Sequence, residues 1–253
     1  MPELNQYLDR EITICARRET VFRYFTDSER FARWWGAGSQ IDARPGGAVL
    51  IRYPNAVTVT GEVTEIDPPR KIAFTYSYAG NIPYDGSLVT ITLDETRQGT
   101  VLKLRHAFSS AKIRDTHVQG WRYQLALFSK TVAEDEHAHA GERIDEFLRA
   151  WGDPDPAMRR SLAESCMTPE ISFRDAFSAT DGIEEMLANL DAIQIFMPGM
   201  KLTRAGEVRQ AHGTAVAGWT ASAADGSPRG SGTNVFDLAP DGRIRRVVGF
   251  WSA

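Results

Sequence analysis

The sequence predicts two α+β units in tandem, the first a curved antiparallel sheet closed by one long helix. The second is a cone, with helices packed into another curved antiparallel sheet. Three observations predict this: a run of short period-two stretches cut by turn residues over residues 41–108, a one-sided helical pattern over 113–132, and a second series with helices first and strands last.

The first unit opens with an alternating strand at residues 11–16. Val21, Phe22 and Phe25, then Phe31, Trp34 and Trp35, recur at helical spacing and predict two short helices. From Ile41 the period changes to two, punctuated by Pro45-Gly46-Gly47, Asp67-Pro68-Pro69, Asp85-Gly86 and Gln98-Gly99. Val59, Val63 and Ile66, then residues 72–78, 88–93 and 101–108, form the strands between these turns. In the closing helix Ile113, Trp121, Leu125, Phe128 and Val132 fall on one side. The space between sheet and helix is core or pocket. Trp34, Trp35, Tyr53, Tyr76, Tyr78, His106, Phe108 and Trp121 are the candidates for lining it, because aromatic rings bring apolar area and phenol or imidazole a polar handle. His106 shares a phase with Leu102, Leu104 and Phe108 and faces inward, as a ligand contact or as a satisfied core histidine.

Residues 134–142 contain no bulky apolar side chain and carry a net charge of −4, between +3 for residues 1–133 and −3 for 143–253. A linker is expected there, giving units 1–133 and 143–253 with no sequence repeat between them. His137 and His139 read as exposed linker residues; no Cys, Asp and His set surrounds them at ligand spacing, so no metal is expected.

The second unit begins with two helices, striped by Ile144, Phe147, Leu148 and Trp151 and by Met158, Leu162 and Cys166. A strand at 170–177 follows, then a helix over about 182–195 with Asp181 and Glu184 spaced as a capping pair. Strands at 201–210, 214–223, 232–238 and 243–251 finish the chain, the last two joined at Asp241-Gly242. Asp175 alternates in phase with Ile171, Phe173 and Phe177, which places a carboxylate on an apolar face, the setting in which a general base is made. Asn234 shares a phase with Phe236 and Leu238. Trp219 shares one with Ala215, Ala217 and Ala221; a large ring beside three small side chains leaves a cavity for a ligand or for Trp151 or Met197. Phe147, Trp151, Phe177, Trp219 and Phe236 are therefore the ligand-lining candidates of this unit. His212, beside Gly213, reads as a turn residue.

The motifs Arg10-Glu-Ile-Thr-Ile, Glu19-Thr-Val-Phe, Thr26-Asp-Ser-Glu, Trp34-Trp35, Asp42-Ala-Arg-Pro-Gly-Gly47, Gly61-Glu-Val-Thr-Glu-Ile-Asp-Pro-Pro69, Gly99-Thr100 and Gly120-Trp121 occur in this order. Residues 8–133 thereby resemble the family named after the activator of heat-shock-protein-90 ATPase, within the START-like helix-grip superfamily. The resemblance implies a helix-grip fold around a hydrophobic cavity and no single activity. Phe173-Arg-Asp-Ala-Phe177, Asp181-Gly182-Ile183, Gly232-Thr-Asn-Val-Phe236 and Asp241-Gly-Arg-Ile-Arg-Arg-Val-Val-Gly-Phe250 make residues 142–253 similar to the SnoaL-like branch of the nuclear transport factor 2-like superfamily. That branch includes polyketide cyclases, ketosteroid isomerases and plain binding modules. The resemblance implies a proton-shuttling role for Asp175 and an oxyanion-donating role for Asn234. Phe147 stands where the isomerases carry a phenol, which puts classical steroid isomerisation in doubt.

A net charge of −4 gives no basic face for nucleic acid. No apolar run approaches the roughly 18–20 residues needed to cross a bilayer. The opening Met1–Gln6 has no signal-peptide pattern, and two distant cysteines, Cys15 and Cys166, make no disulfide framework, so a cytoplasmic location is expected. No Gly-rich phosphate loop occurs and no cofactor is expected. The expected function is binding of small hydrophobic metabolites in one or both units. The alternatives are a cofactor-free isomerase or cyclase using Asp175, and a co-chaperone-like interaction module. A homodimer through the outer face of the second sheet is expected from the second resemblance.

Overall fold

The structure, a computed structural model, describes residues 3–79 and 86–252; the turn predicted at Asp85 lies outside the described residues. The Cα positions group into two compact units, Met1–Ala133 and Glu134–Ala253.

In the first, β1 (Gln6–Ile14) leads into α1 (Arg18–Arg23) and α2 (Ser28–Trp35). Six strands follow: β2 (Gln40–Ile41), β3 (Ala48–Arg52), β4 (Thr58–Asp67), β5 (Lys71–Tyr78), β6 (Ser87–Thr96) and β7 (Gly99–Phe108). They form one antiparallel sheet in the order β1-β7-β6-β5-β4-β3-β2. Period two decides what is buried: Val89, Ile91 and Leu93 on β6 and Leu102, Leu104, His106 and Phe108 on β7 face the core. α3 (Ala111–Glu136) covers that face with Trp121, Leu125, Phe128 and Val132, the stripe that its 3.6-residue period requires. Phe128 is its anchor, with ring centroids 4.7 Å from Trp34 and 5.0 Å from Phe25. The Asp27 carboxylate caps α2 by accepting from Arg30 N at 3.0 Å.

In the second unit α4 (Ala140–Gly152) and α5 (Pro156–Cys166) precede β8 (Met167–Arg174), β9 (Ala179–Asp181) and α6 (Ile183–Phe196). β10 (Lys201–Ala211), β11 (Thr214–Ser222), β12 (Pro228–Leu238) and β13 (Ile244–Trp251) complete it. The sheet order is β10-β11-β12-β13-β8-β9, with β13 and β8 parallel and the other pairs antiparallel. Gly242, at φ +85°, makes the turn between β12 and β13, and His212, at φ +52°, the turn between β10 and β11. Both units are thus α+β, the first a helix-grip and the second a cone. Among the described residues no helix is long and apolar enough to cross a membrane.

Three local expectations fail for physical reasons. Residues 134–142, expected as a linker, are largely helical: helix runs to Glu136 and resumes at Ala140, and of the two histidines expected to be exposed His137 is buried while His139 is exposed beside Glu142. The strand expected to reach Phe177 stops at Arg174, because the Asp175 carboxylate ties down the backbone beyond it. The cap of α6 is displaced: Asp181 gives its carboxylate to Arg174, and Glu185 accepts from Asp181 N instead.

Candidate functional site

The inner face of β12 presents Gly230, Gly232, Asn234, Phe236 and Leu238 in alternation. The two glycines let indoles lie against the sheet. A Cβ on Gly232 would sit 2.6 Å from the Trp219 ring, and one on Gly230 would sit 2.9 Å from the Trp251 ring. The two indoles meet edge-to-face, with centroids 4.8 Å apart. Beside them a cavity of about 340 Å³ is walled by Trp151, Phe173, Ile193, Met197, Met200 and Leu202. Asp175, Phe177, Ser178, Arg229 and Asn234 complete its lining.

The polar groups of this cavity have defined roles. Asp175 Oδ1 accepts from the backbone N–H groups of Phe177 (2.8 Å) and Ser178 (2.7 Å), and Oδ2 accepts from Trp251 Nε1 at 3.2 Å. The carboxylate therefore ends β8, shapes the following turn and anchors an indole. Asn234, buried, accepts from Trp219 Nε1 through Oδ1 at 2.9 Å. An indole N–H is only a donor, so this bond fixes the amide orientation and turns the N–H₂ group away from Trp219. Among the described residues that N–H₂ group makes no hydrogen bond to the protein. The indole N–H of Trp151 is buried without a partner.

Of the lining candidates in this unit, Trp151, Phe177 and Trp219 reach the cavity. Phe177 does so from the rim, 77% exposed, because it lies beyond the strand end. Phe147 and Phe236 are fully buried in contact with each other, centroids 5.5 Å apart, and belong to the core. Sequence reading missed Trp251, whose signal was present: it continues the inward phase of Val247 and Gly249 on β13. Arg229 was invisible, since strict alternation on β12 points it outward.

The first unit holds a smaller cavity of about 220 Å³, lined by Tyr53, Tyr76, Tyr78, His117, Trp121 and Gln124 among others. Tyr76 and Trp121 are there as expected, whereas Trp34, Trp35, His106 and Phe108 are packed in the adjoining core. His106 has a complete hydrogen-bond set. Trp121 Nε1 donates to Nδ1 at 2.9 Å, which makes Nε2 the protonated nitrogen of the neutral ring. Nε2 then donates to Ser87 Oγ at 2.6 Å, and the Ser87 hydroxyl donates in turn to the Tyr76 carbonyl at 3.0 Å. Burial, with His117 nearby, holds the His106 imidazole well below the usual histidine range. His117 is lowered by burial as well; its Nδ1 donates to the Ile113 carbonyl, so Nε2 accepts from Tyr78. Tyr53 and Tyr76 share a 2.7 Å hydrogen bond, and burial pushes both phenols above their ordinary range. These groups satisfy one another, so this cavity offers a ligand fewer unused donors than the second.

A larger groove of about 650 Å³ between α4 and β10 is a surface feature, with Asp145 and Arg204 on its walls paired at 2.7 Å. Among the described residues no group of three His, Cys, Asp or Glu side chains is placed to hold a metal ion.

Two α+β units of pocket-forming type thus share one chain. Residues 15–133 match the family model described as activator of Hsp90 ATPase homolog 1-like protein, a match that stops short of half the chain. Among solved structures, a candidate isomerase of the SnoaL-like family from Agrobacterium tumefaciens is similar at 25% identity and a TM-score of 0.43, over 47% of this chain and 99% of that one. CalU16 from Micromonospora echinospora is similar at 24% identity and a TM-score of 0.41, over 50% of this chain and 74% of that one. The Aha1 dimer from Colwellia psychrerythraea is similar at 17% identity and a TM-score of 0.41, over 48% and 92%. No curated protein matches the chain in sequence.

Proposed function

We propose that the second unit binds a small apolar molecule in its cavity, with Asn234 donating a hydrogen bond to a ligand oxygen. The observation that carries this reading is an apolar space of about 340 Å³ with one buried amide whose N–H₂ has no protein acceptor among the described residues. That volume is at the lower end of the roughly 300–1,000 Å³ of small-molecule sites, and apolar walls with few polar groups are their usual composition. Calorimetric titration of the full chain with 1-naphthylacetamide, a neutral bicyclic probe, tests it. Saturable one-to-one binding is expected, abolished by Ile193→Trp, which fills the cavity from α6. Absence of binding, or binding untouched by Ile193→Trp, contradicts the reading.

A second reading, a cofactor-free isomerase or cyclase, is favoured by one observation. Asp175 and Asn234 flank Gly249, where an added Cβ would lie 3.2 Å from Asp175 Cβ and 3.0 Å from Asn234 Oδ1. A proton acceptor and an oxyanion donor on the two sides of one glycine are the groups that enolisation of a ketone uses. Its test is α-proton exchange of β-tetralone in deuterium oxide. Exchange faster than buffer and lost in Asp175→Asn supports it; exchange at the buffer rate removes it. The commitment of Asp175 to three donors favours the binding reading.

A further inference from the structure

Strand β12 carries an irregularity that changes the chemistry of the cavity. Its pairing with β11 runs regularly from Thr214↔Asp237 to Ala221↔Gly230, and then jumps to Ser222↔Pro228. Arg229 is the residue left without a partner across the ladder, which is a β-bulge. In an unbroken strand Arg229 would share the outward phase of Ser231 and Thr233. A bulge re-aims the side chain it contains, and Arg229 lines both the cavity and the adjoining groove formed by Phe196, Met197, Ala224 and Asp225. A cation has thus been turned to the mouth of an apolar space.

Its surroundings leave that cation available. Among the described residues no carboxylate lies within ion-pair distance of the Arg229 guanidinium. The acid in electrostatic reach, Asp225, is held by the side chain and backbone of Ser227. Asp175, the other acid of the cavity, is committed to the N–H groups of Phe177, Ser178 and Trp251. The benzo edge of Trp251 lies over Gly230, next to Arg229, while its opposite N–H edge holds Asp175 Oδ2. The cavity therefore carries a carboxylate already taken by three donors and a guanidinium with no carboxylate partner among the described residues.

We infer that the ligand of the second unit is a small aromatic or alicyclic monocarboxylate, its ring among Trp151, Trp219 and Met200 and its carboxylate on Arg229. This rests on the binding reading above and adds the charge of the ligand to it. Guanidinium matches carboxylate geometry through two parallel N–H···O bonds, which is why a neutral ligand would leave this mouth unused.

The test is a matched pair of probes, 1-naphthylacetate and 1-naphthylacetamide, titrated calorimetrically into the full chain and into Arg229→Gln. The acid is expected to bind the native chain roughly fivefold more tightly than the amide, the effect of a partly exposed ion pair. Arg229→Gln is expected to bring the acid-to-amide affinity ratio to about one, and Arg229→Lys to restore part of the preference. Equal affinities for acid and amide in the native chain, or a preference that survives Arg229→Gln, overturn the inference and leave the binding reading standing. If neither probe binds, both fall together. Arg229 is exposed and outside the core, so the glutamine variant folds and its result is interpretable.

Discussion

Replacing Asn234 by alanine removes the acceptor that Trp219 Nε1 uses at 2.9 Å, at a site where both side chains are about 5% exposed. The indole N–H is then a buried donor without a partner, which costs about 1–3 kcal/mol. The lost amide borders a cavity that already exists, so the added packing loss is small, and a destabilisation of about 2 kcal/mol is expected. Trp219→Phe costs a similar amount by a different route, since the shorter ring withdraws from the space over Gly232. The two losses overlap in one hydrogen bond. The double variant is therefore expected to fall short of their sum by about 1 kcal/mol. Urea denaturation followed by far-UV circular dichroism, with a separate transition allowed for each unit, measures all three. Effects that add within about 0.3 kcal/mol would refute the claim that Asn234 presents its carbonyl to Trp219 and its N–H₂ to the cavity.

Three further outcomes follow from the geometry. His106 is expected to titrate well below the ordinary histidine value of 6.5 in an NMR titration, and because its folded-state pKa is lowered, its contribution to stability is present above about pH 6.5 and falls by up to about 1.4 kcal/mol per pH unit below that; an imidazole titrating near 6.5 contradicts the Trp121–His106–Ser87 network. Cys166 is fully buried with its thiol pushed up to about 12, so it should ignore a disulfide reagent in the native chain and react after urea unfolding; rapid native labelling at Cys166 would show that α5 is not packed as described. Gly232→Ala would drive a Cβ to 2.6 Å from the Trp219 ring and 2.3 Å from the Phe250 carbonyl, and should destabilise the second unit by about 2–3 kcal/mol; a neutral substitution in the same denaturation assay would mean the indole does not lie on β12.

The period of the apolar residues made the sheets and α3 legible, because burial on one face is what sets that period. Trp121, Leu125, Phe128 and Val132 needed only the helical repeat to be placed. What remained hidden came from side chains that act on the backbone. Asp175 has the phase of a strand residue, yet its carboxylate closes a turn with Phe177 and Ser178, so the strand stops one residue before it. Polar side chains that compete for local backbone donors override alternation in this way. Polar sequence neighbours predict an exposed His137, and the ring is buried all the same. Arg229 depended on a one-residue slip in pairing with β11, which alternation within β12 alone does not contain. Asn234 was placed correctly on the inward face by its phase with Phe236; only the structure shows that its carbonyl is taken by Trp219.

The most direct measurement is the set of indole N–H resonances in a ¹H–¹⁵N spectrum of the full chain, followed as 1-naphthylacetamide is added. The chain has six tryptophans, three on the walls of the second cavity and three in the first unit, so each resonance reports one place. Saturable shifts of Trp151, Trp219 and Trp251, with Trp34, Trp35 and Trp121 unmoved, are the expected result. A spectrum in which only the first-unit indoles move, or none does, would contradict the assignment of the binding site to the second unit.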